Sequence, residues 1–428
     1  MITIEPGMLK GEVTVPPSKS VAHRAIISAA LSGESCVIEN VAMSKDIEAT
    51  LSCMRALGNG FRKNTSKMTV TFSKKRKTKL PDEIVLDCCE SGSTLRFLMP
   101  IALLTGKTVK LMGQGRLMQR PQKPYFDLFD EKGISYKQTE ESIILKGQLK
   151  SGEFSLPGDV SSQFITGLLF ALPLVEGDSK IIITTETESK GYIDLTLSVL
   201  KDFGIEIKNN NYKSYEIKGG QKYKPQNYRI EGDYSQAAFF LVAGALGCDI
   251  KCKGLRADSL QGDKKIIDII KETGAKIITH SDGSVQAVRT DVMKGLVIDA
   301  REIPDLVPVL AVLCGFCRGE SRIINAGRLR IKESDRLAAI KSELAYIGLN
   351  IEEGMDYLKI KGTNALIGKT VSSWNDHRIA MAMAIAACRC EGDVSITGAK
   401  TAVCKSYPDF FEVYKGLQNG PKPTAEGE

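Results

Sequence analysis

Six short clusters in this 428-residue chain gather residue types that could do chemistry together. They are Lys19-Ser20 with Arg24; Ser91-Gly92-Ser93 with Arg96; Ser161-Ser162-Gln163; Asp233 with Ser235; Asp305; and Asn375-Asp376-His377-Arg378. Each stands at the mouth of a strongly apolar run. A helix start leaves N–H groups unpaired and carries about half a positive charge. Capping asks only for Ser, Thr, Asp or Asn. The added lysines and arginines exceed that need, and they repel one another unless an anion lies among them. Loop residues add further cations: Arg120 in "QRPQKP", the cluster 328–336 in "RLRIKESDR", and Lys405. The predicted ligand carries several negative charges, and two phosphates with two carboxylates would fit.

Competing chemistries lack their residues. "GTNALIGKT" nearly meets the phosphate-loop pattern, but Gly362 comes one residue early and the stretch leads into a strand. No G-x-G-x-x-G opens a helix. The three histidines, His23, His280 and His377, have no metal-ligand spacing, and neither do the cysteine pairs. The expectation is therefore no metal and no cofactor. The 11 cysteines sit mostly in apolar runs and read as reduced, buried thiols. A net charge of +7, spread along the chain, favours anionic partners without pointing to nucleic acid. No leader-like apolar segment and no membrane-length apolar run stand out, so a cytoplasmic location is expected. The Lys-rich stretch 61–81 reads as a solvated edge, and the tail 418–428 as disordered.

Stepping along the chain reveals what must position the clusters. A strand, a polar cluster, a very apolar helix, a glycine and another strand recur six times. The helix starts align on Ser20, Gly92, Ser162, Ser235, Asp305 and Asp376, at intervals of 72, 70, 73, 70 and 71 residues. Each unit carries a second, amphipathic helix, such as 46–58, 191–204, 263–274 or 334–348, with apolar residues at i, i+3, i+4 and i+7. The first helix of each unit is apolar nearly all round, and stretches such as "AMAMAIAA" require burial on every side. Six units of roughly 70 residues, each with two helices and several strands, make two lobes of three.

The ordered set "PPSKSVAHRA", "SGSTLRFL", "RPQKP", "GDVSSQFITGLL", "LRIKESDRL" and "NDHRIAMA" resembles the 5-enolpyruvylshikimate-3-phosphate synthases, an enolpyruvyl transferase family, from about Leu9 to about Glu412. The resemblance implies an α/β fold, a two-lobe inside-out α/β barrel of six βαβαββ repeats, three per lobe. It places the lobes at 1–18 plus 229–428 and at 19–228, hinged and closing around the substrates. It implies transfer of the enolpyruvyl group of phosphoenolpyruvate to the 5-hydroxyl of shikimate-3-phosphate, with release of phosphate. By position, Lys19, Ser20, Arg24, Ser161, Ser162, Gln163, Ser189, Asp305 and Lys332 match the shikimate-3-phosphate site. Lys19, Gly92, Arg120, Gln163, Arg336, Arg378 and Lys405 match the phosphoenolpyruvate site. Asp305, Lys332, Glu333 and Lys19 match the catalytic groups.

The chemistry adds its own demands. Carbon 2 of an enol ether becomes electrophilic only when carbon 3 gains a proton. Attack by the 5-hydroxyl then gives a tetrahedral ketal phosphate, and loss of phosphate needs a base at carbon 3. The expected division gives the hydroxyl proton to Asp305 and Lys332, and carbon 3 to Glu333 and Lys19. The expected partners are the two small substrates alone, with no nucleic acid or membrane, and the chain is expected to be a monomer. Two positions depart from the family pattern: Glu90, where many members carry Asn, and Arg328, where some place a substrate-contacting Asn. Gly92 is retained, so glyphosate is expected to enter the pocket. The alternatives are transfer to UDP-N-acetylglucosamine and a non-catalytic anion-binding role on the same fold. The first wants a reactive loop cysteine, whereas Cys88 and Cys89 end a strand; the second would fit a chain lacking Asp305, Lys332 or Glu333.

Overall fold

The computed structural model describes residues 1–76 and 79–420. In chain order the helices are α1 (Lys19–Ser32), α2 (Lys45–Ala56), α3 (Gly92–Leu103), α4 (Lys123–Glu131), α5 (Ser162–Ala171), α6 (Lys190–Asp202), α7 (Tyr234–Ala245), α8 (Ile266–Thr273), α9 (Val307–Cys314), α10 (Arg336–Tyr346), α11 (His377–Ala387), α12 (Ala399–Val403) and α13 (Phe410–Gln418). The odd-numbered helices α1 to α11 are the apolar ones. Every residue of α7, α9 and α11 is buried, and nearly every residue of α3 and α5. A helix without a polar stripe can satisfy itself only by burial all round.

The second repeat shows the unit plainly. Strand Glu83–Asp87 runs parallel to Thr108–Met112 across the crossover helix α3. The hairpin Ser135–Gln138 with Ser142–Lys146 then joins antiparallel. Among the described residues, five four-stranded sheets share this order. The sixth repeat departs. Its strands Thr370–Ser372 and Val394–Thr397 pair parallel, and the N-terminal strand Ile2–Ile4 stands on the free edge of Val394–Thr397, where a hairpin strand joins in the other repeats. Its own chain continues instead into α12 and α13.

Two sheets exchange their first strands. Lys10–Thr14 precedes α1, yet it pairs in parallel with Asp249–Lys253 of the fourth repeat. Tyr228–Arg229 precedes α7, yet it pairs with Cys36–Glu39 of the first repeat. The chain therefore leaves one compact unit and returns to it, giving Met1–Pro16 with Glu231 onward, and Pro17–Ile230. These limits lie two residues from the expected 18/19 and 228/229. Each unit has its own core: one built around α7, α9 and α11, the other around α1, α3 and α5.

The helices α3 and α5 pack against each other. Gly167 permits this approach, because a Cβ there would collide with the Tyr125 hydroxyl and stand 2.5 Å from the Arg96 carbonyl oxygen. Tyr125 donates to that same oxygen at 3.0 Å and shares its proton with the Phe164 oxygen at 2.8 Å. Helix propensity favours alanine by about 1 kcal/mol, but overpacking against a backbone atom costs ~1–3 kcal/mol. Gly167→Ala should lose up to about 2 kcal/mol net, read as a lower urea midpoint with unchanged slope.

Among the described residues no helix is long and apolar enough to cross a membrane. All eleven cysteines are free, and nine are buried. In the Lys-rich stretch, Phe61–Asn64 is an exposed edge strand paired with Thr69–Phe72, while 77 and 78 lie outside the described residues. Of the tail, Gln418 closes α13 rather than beginning a disordered segment, and 421–428 lie outside the described residues.

Candidate active site

In the unit Pro17–Ile230 the polar clusters sit where buried helices begin. Ser18 caps α1 by accepting from the Val21 N–H, Ser91 caps α3 by accepting from Thr94, and Ser161 caps α5 by accepting from Gln163. Lys19 forms an ion pair with Asp46 at 2.8 Å. Arg24 is buried and held on three sides: Nε donates to Thr196 Oγ1 at 2.8 Å, and the other nitrogens to the oxygens of Ser20 (2.7 Å) and Tyr192 (2.9 Å). Burial pulls this guanidinium down to about 10, still fully charged at neutral pH. Arg96 ties two helix starts together, donating to Gln163 Oε1 at 2.9 Å while Gln163 Nε2 donates to Ser93 Oγ at 2.9 Å. Ser189, at the start of α6, is buried and takes a left-handed φ of 58°.

Gly92 opens α3 directly beneath the Arg120 guanidinium. A Cβ on Gly92 would lie 2.7 Å from an Arg120 Nη, so the bare backbone lets the guanidinium stand over the helix start. Glu90, the departing residue, lies against Gly115: a Cβ there would stand 2.7 Å from Glu90 Oε2. Arg328, the other, donates to the Arg301 oxygen at 2.6 Å. His23 donates to or accepts from Thr50 at 2.8 Å; burial, then Lys19 and Arg24, hold it well below the usual histidine range, so it stays neutral and is a poor proton donor.

The other unit gathers its cluster around one guanidinium. Arg336, 1% exposed, donates from Nε to Asp376 (2.8 Å), from Nη1 to Asp305 (2.9 Å) and from Nη2 to Glu333 (2.8 Å). Arg378 reaches Asp305 twice, at its backbone oxygen and at Oδ2, both at 3.0 Å. Lys332 stands 3.9 Å from Asp305 Oδ1, and Lys405 donates to the Asn375 oxygen at 2.6 Å. Asp305 was aligned as a helix start, but α9 begins at Val307 without any side-chain cap. Its carboxylate serves the cations instead. Burial alone would raise its pKa; Arg378, Lys332 and Arg336 together hold it well below the usual carboxylate range.

Lys332 moves the opposite way. Burial first, and Arg336 after it, pull the ammonium down to about 8, against the pull of Asp305. The folded lysine then binds fewer protons than the unfolded one between about pH 8 and 10.5. Its charge opposes folding below that window, and the penalty lifts as pH rises through it. Lys332→Met should therefore be more stable than the native chain at pH 7, with the advantage shrinking toward pH 10.5; urea midpoints at the two pH values check this.

Two groups here carried no sequence signal for a role in the site, and a third carried only that of a cap. Asp46 is 27 residues from Lys19 and reads only as a first-turn helix acid. Asp376 reads as the cap of α11, which it is, while also holding Arg336. Asp263 is buried and accepts the Ser235 hydroxyl. Burial, with Asp305 adding, pushes it up to about 7.

Six repeats, each built on a buried apolar helix and a small sheet, define the two-lobe inside-out α/β barrel class. The sequence profile of the EPSP synthase (3-phosphoshikimate 1-carboxyvinyltransferase) family matches residues 4–414, and the chain belongs to that family. A 3-phosphoshikimate 1-carboxyvinyltransferase of Clostridium novyi is 52% identical over 425 residues, covering 97% of this chain and 96% of the relative. That of Clostridioides difficile is 48% identical over 426 residues, covering 97% of each. The solved EPSP synthase of Acinetobacter baumannii matches with a TM-score of 0.78 at 26% identity, covering 97% of this chain and 98% of that one.

Proposed function

We infer that this chain transfers the enolpyruvyl group of phosphoenolpyruvate to the 5-hydroxyl of shikimate-3-phosphate and releases phosphate. Family membership supports the reaction. The observation that carries the mechanism is the group Asp305, Lys332, Glu333, Arg336 and Arg378, in which the arginines hydrogen-bond the carboxylates and Lys332 forms an ion pair with Asp305. Such a group can hold a polyanion and move a proton in the same site.

Arg24, Ser20, Ser161, Ser162, Gln163 and Ser189 hold shikimate-3-phosphate. Arg120, Arg336, Arg378 and Lys405 hold phosphoenolpyruvate, with guanidinium forks suited to carboxylate and phosphate. Asp305 accepts a hydrogen bond from the 5-hydroxyl, and neutral Lys332 takes its proton as the oxygen attacks carbon 2. Lys332, pulled down to about 8, is able to do this near neutral pH. A proton from Glu333 or Lys19 goes to carbon 3 as the C–O bond forms. The same group removes a proton from carbon 3 as the C–O bond to phosphate breaks, which restores the C2=C3 double bond as the product's enol ether, and the leaving phosphate carries off the proton that Lys332 took. Glu333 is tied to Arg336 at 2.8 Å. An arriving phosphate competes for that guanidinium and frees the carboxyl for carbon 3.

The test is phosphate release from phosphoenolpyruvate in metal-free buffer, with and without shikimate-3-phosphate. Release that needs both supports the reading. Release with UDP-N-acetylglucosamine in place of shikimate-3-phosphate overturns it in favour of the sister reaction, and no release leaves a binding protein. Glyphosate should inhibit the reaction, and Gly92→Ala, by displacing the Arg120 guanidinium, should raise both the inhibitor constant and the phosphoenolpyruvate KM.

A further inference from the structure

Between strand Thr370–Ser372 and α11 the chain takes left-handed φ at two successive non-glycine residues, Trp374 and Asn375, both at 51°. Asparagine tolerates that region, whereas tryptophan has no side-chain bond that favours it. Within the turn the Trp374 N–H donates to Ser372 Oγ at 3.0 Å, and from outside it Glu343 of α10 adds two further bonds. Its Oε2 accepts from the Ser372 N–H at 2.8 Å, and its Oε1 accepts from the Trp374 indole N–H at 2.7 Å. Glu343 is 7% exposed.

The far side of this turn carries the cations of the site. The Asn375 oxygen accepts from Lys405 Nζ at 2.6 Å. Asp376 caps α11 through the Arg378 N–H at 2.9 Å and accepts from Arg336 Nε at 2.8 Å. Arg336 and Glu343 are seven residues apart on α10, two turns along one face. One helix thus grips the turn at both ends, Arg336 by Asp376 and Glu343 by Ser372 and Trp374.

We propose that Glu343 is a positioning residue for the phosphoenolpyruvate-binding cations, bracing the turn 372–376 so that Lys405 and Arg378 are held where the donor binds. The proposal rests on the function inferred above. Each carboxylate oxygen takes one donor, so a glutamine at 343 can serve only one of them. Whichever way its amide lies, an NH2 faces the other N–H.

Trp374 is the chain's one tryptophan, so its emission reads the brace directly. Glu343→Gln should change that emission in the ligand-free protein. It should raise the phosphoenolpyruvate KM by about tenfold while the shikimate-3-phosphate KM stays within about twofold. In the Trp374→Phe background the indole donor is gone, so the glutamine oxygen can serve Ser372. There Glu343→Gln should add less than about twofold, a coupling that a general loss of structure would not produce. The proposal is overturned if an active Glu343→Gln enzyme keeps the native emission, if both KM values rise alike, or if the two substitutions multiply. Should Glu343→Gln fail to fold, Trp374→Phe alone decides: a rise confined to the phosphoenolpyruvate KM supports the brace, and an unchanged KM overturns it. If the unmodified chain releases no phosphate, the functional reading has failed and this role falls with it; loss confined to the variants tests the brace alone.

Discussion

Asp305→Asn should lower kcat by ~10²–10⁴-fold, the range general acid–base groups supply, with a smaller change in either KM. The carboxylate receives Arg336 Nη1 at 2.9 Å and Arg378 Nη2 at 3.0 Å, and lies 3.9 Å from the Lys332 ammonium. An asparagine can accept from one arginine but turns an NH2 toward the other, so the hydroxyl-facing group loses both charge and orientation. The pH profile separates this from a packing effect. Asp305, ahead of Glu333, raises Lys332 against burial. Removing its charge lets the lysine fall further below about 8, so the rising limb of kcat against pH should move to lower pH. A loss of less than about tenfold, or a limb that stays in place, would show that Asp305 neither touches the reacting proton nor tunes Lys332.

Arg336→Met should be the most damaging substitution for stability. The side chain is fully buried and holds three carboxylates, Asp376, Asp305 and Glu333, at 2.8 to 2.9 Å. Removing one partner of a buried ion pair typically costs ~3–5 kcal/mol, because the remaining charge is left without compensation. That predicts a fall in Tm on the order of 6–20 °C for a unit of about 200 residues. The loss belongs to the unit built from Met1–Pro16 and Glu231 onward, so calorimetry should show its transition moving away from that of Pro17–Ile230.

The pH dependence carries the sign. In the native protein Arg336 overcomes burial and holds Asp376 below its ordinary value, so that contribution is present above the unfolded pKa and lost in acid. Without Arg336, burial prevails and raises the Asp376 pKa. The folded variant then binds more protons than the unfolded chain, and its stability falls as pH rises above about 4. Relative to the native chain, the variant should therefore lose further stability between pH 5 and pH 8, read as a gap in urea midpoint that widens with pH. A gap that stays constant would remove Arg336 from the role of counter-ion.

The apolar helices, their caps and the 70-residue period were legible in sequence because they are local. A stretch such as "AMAMAIAA" has no polar stripe to turn outward, and Ser18, Ser91 and Ser161 cap the helices that follow them within three residues. The excess of cations at helix starts was legible for the same reason. The tertiary structure alone decided the rest. Val13 and Tyr228 each precede a helix in equivalent fashion, yet their strands pair within the unit that the following helix has left, because a parallel partner is chosen by long-range edge pairing. Asp305 looked like a helix start from its neighbours. Arginines 31 and 73 residues away make it the counter-ion of the site instead. A carboxylate near a helix start has the same local chemistry in either role, and only the charges that folding brings beside it separate a cap from a counter-ion.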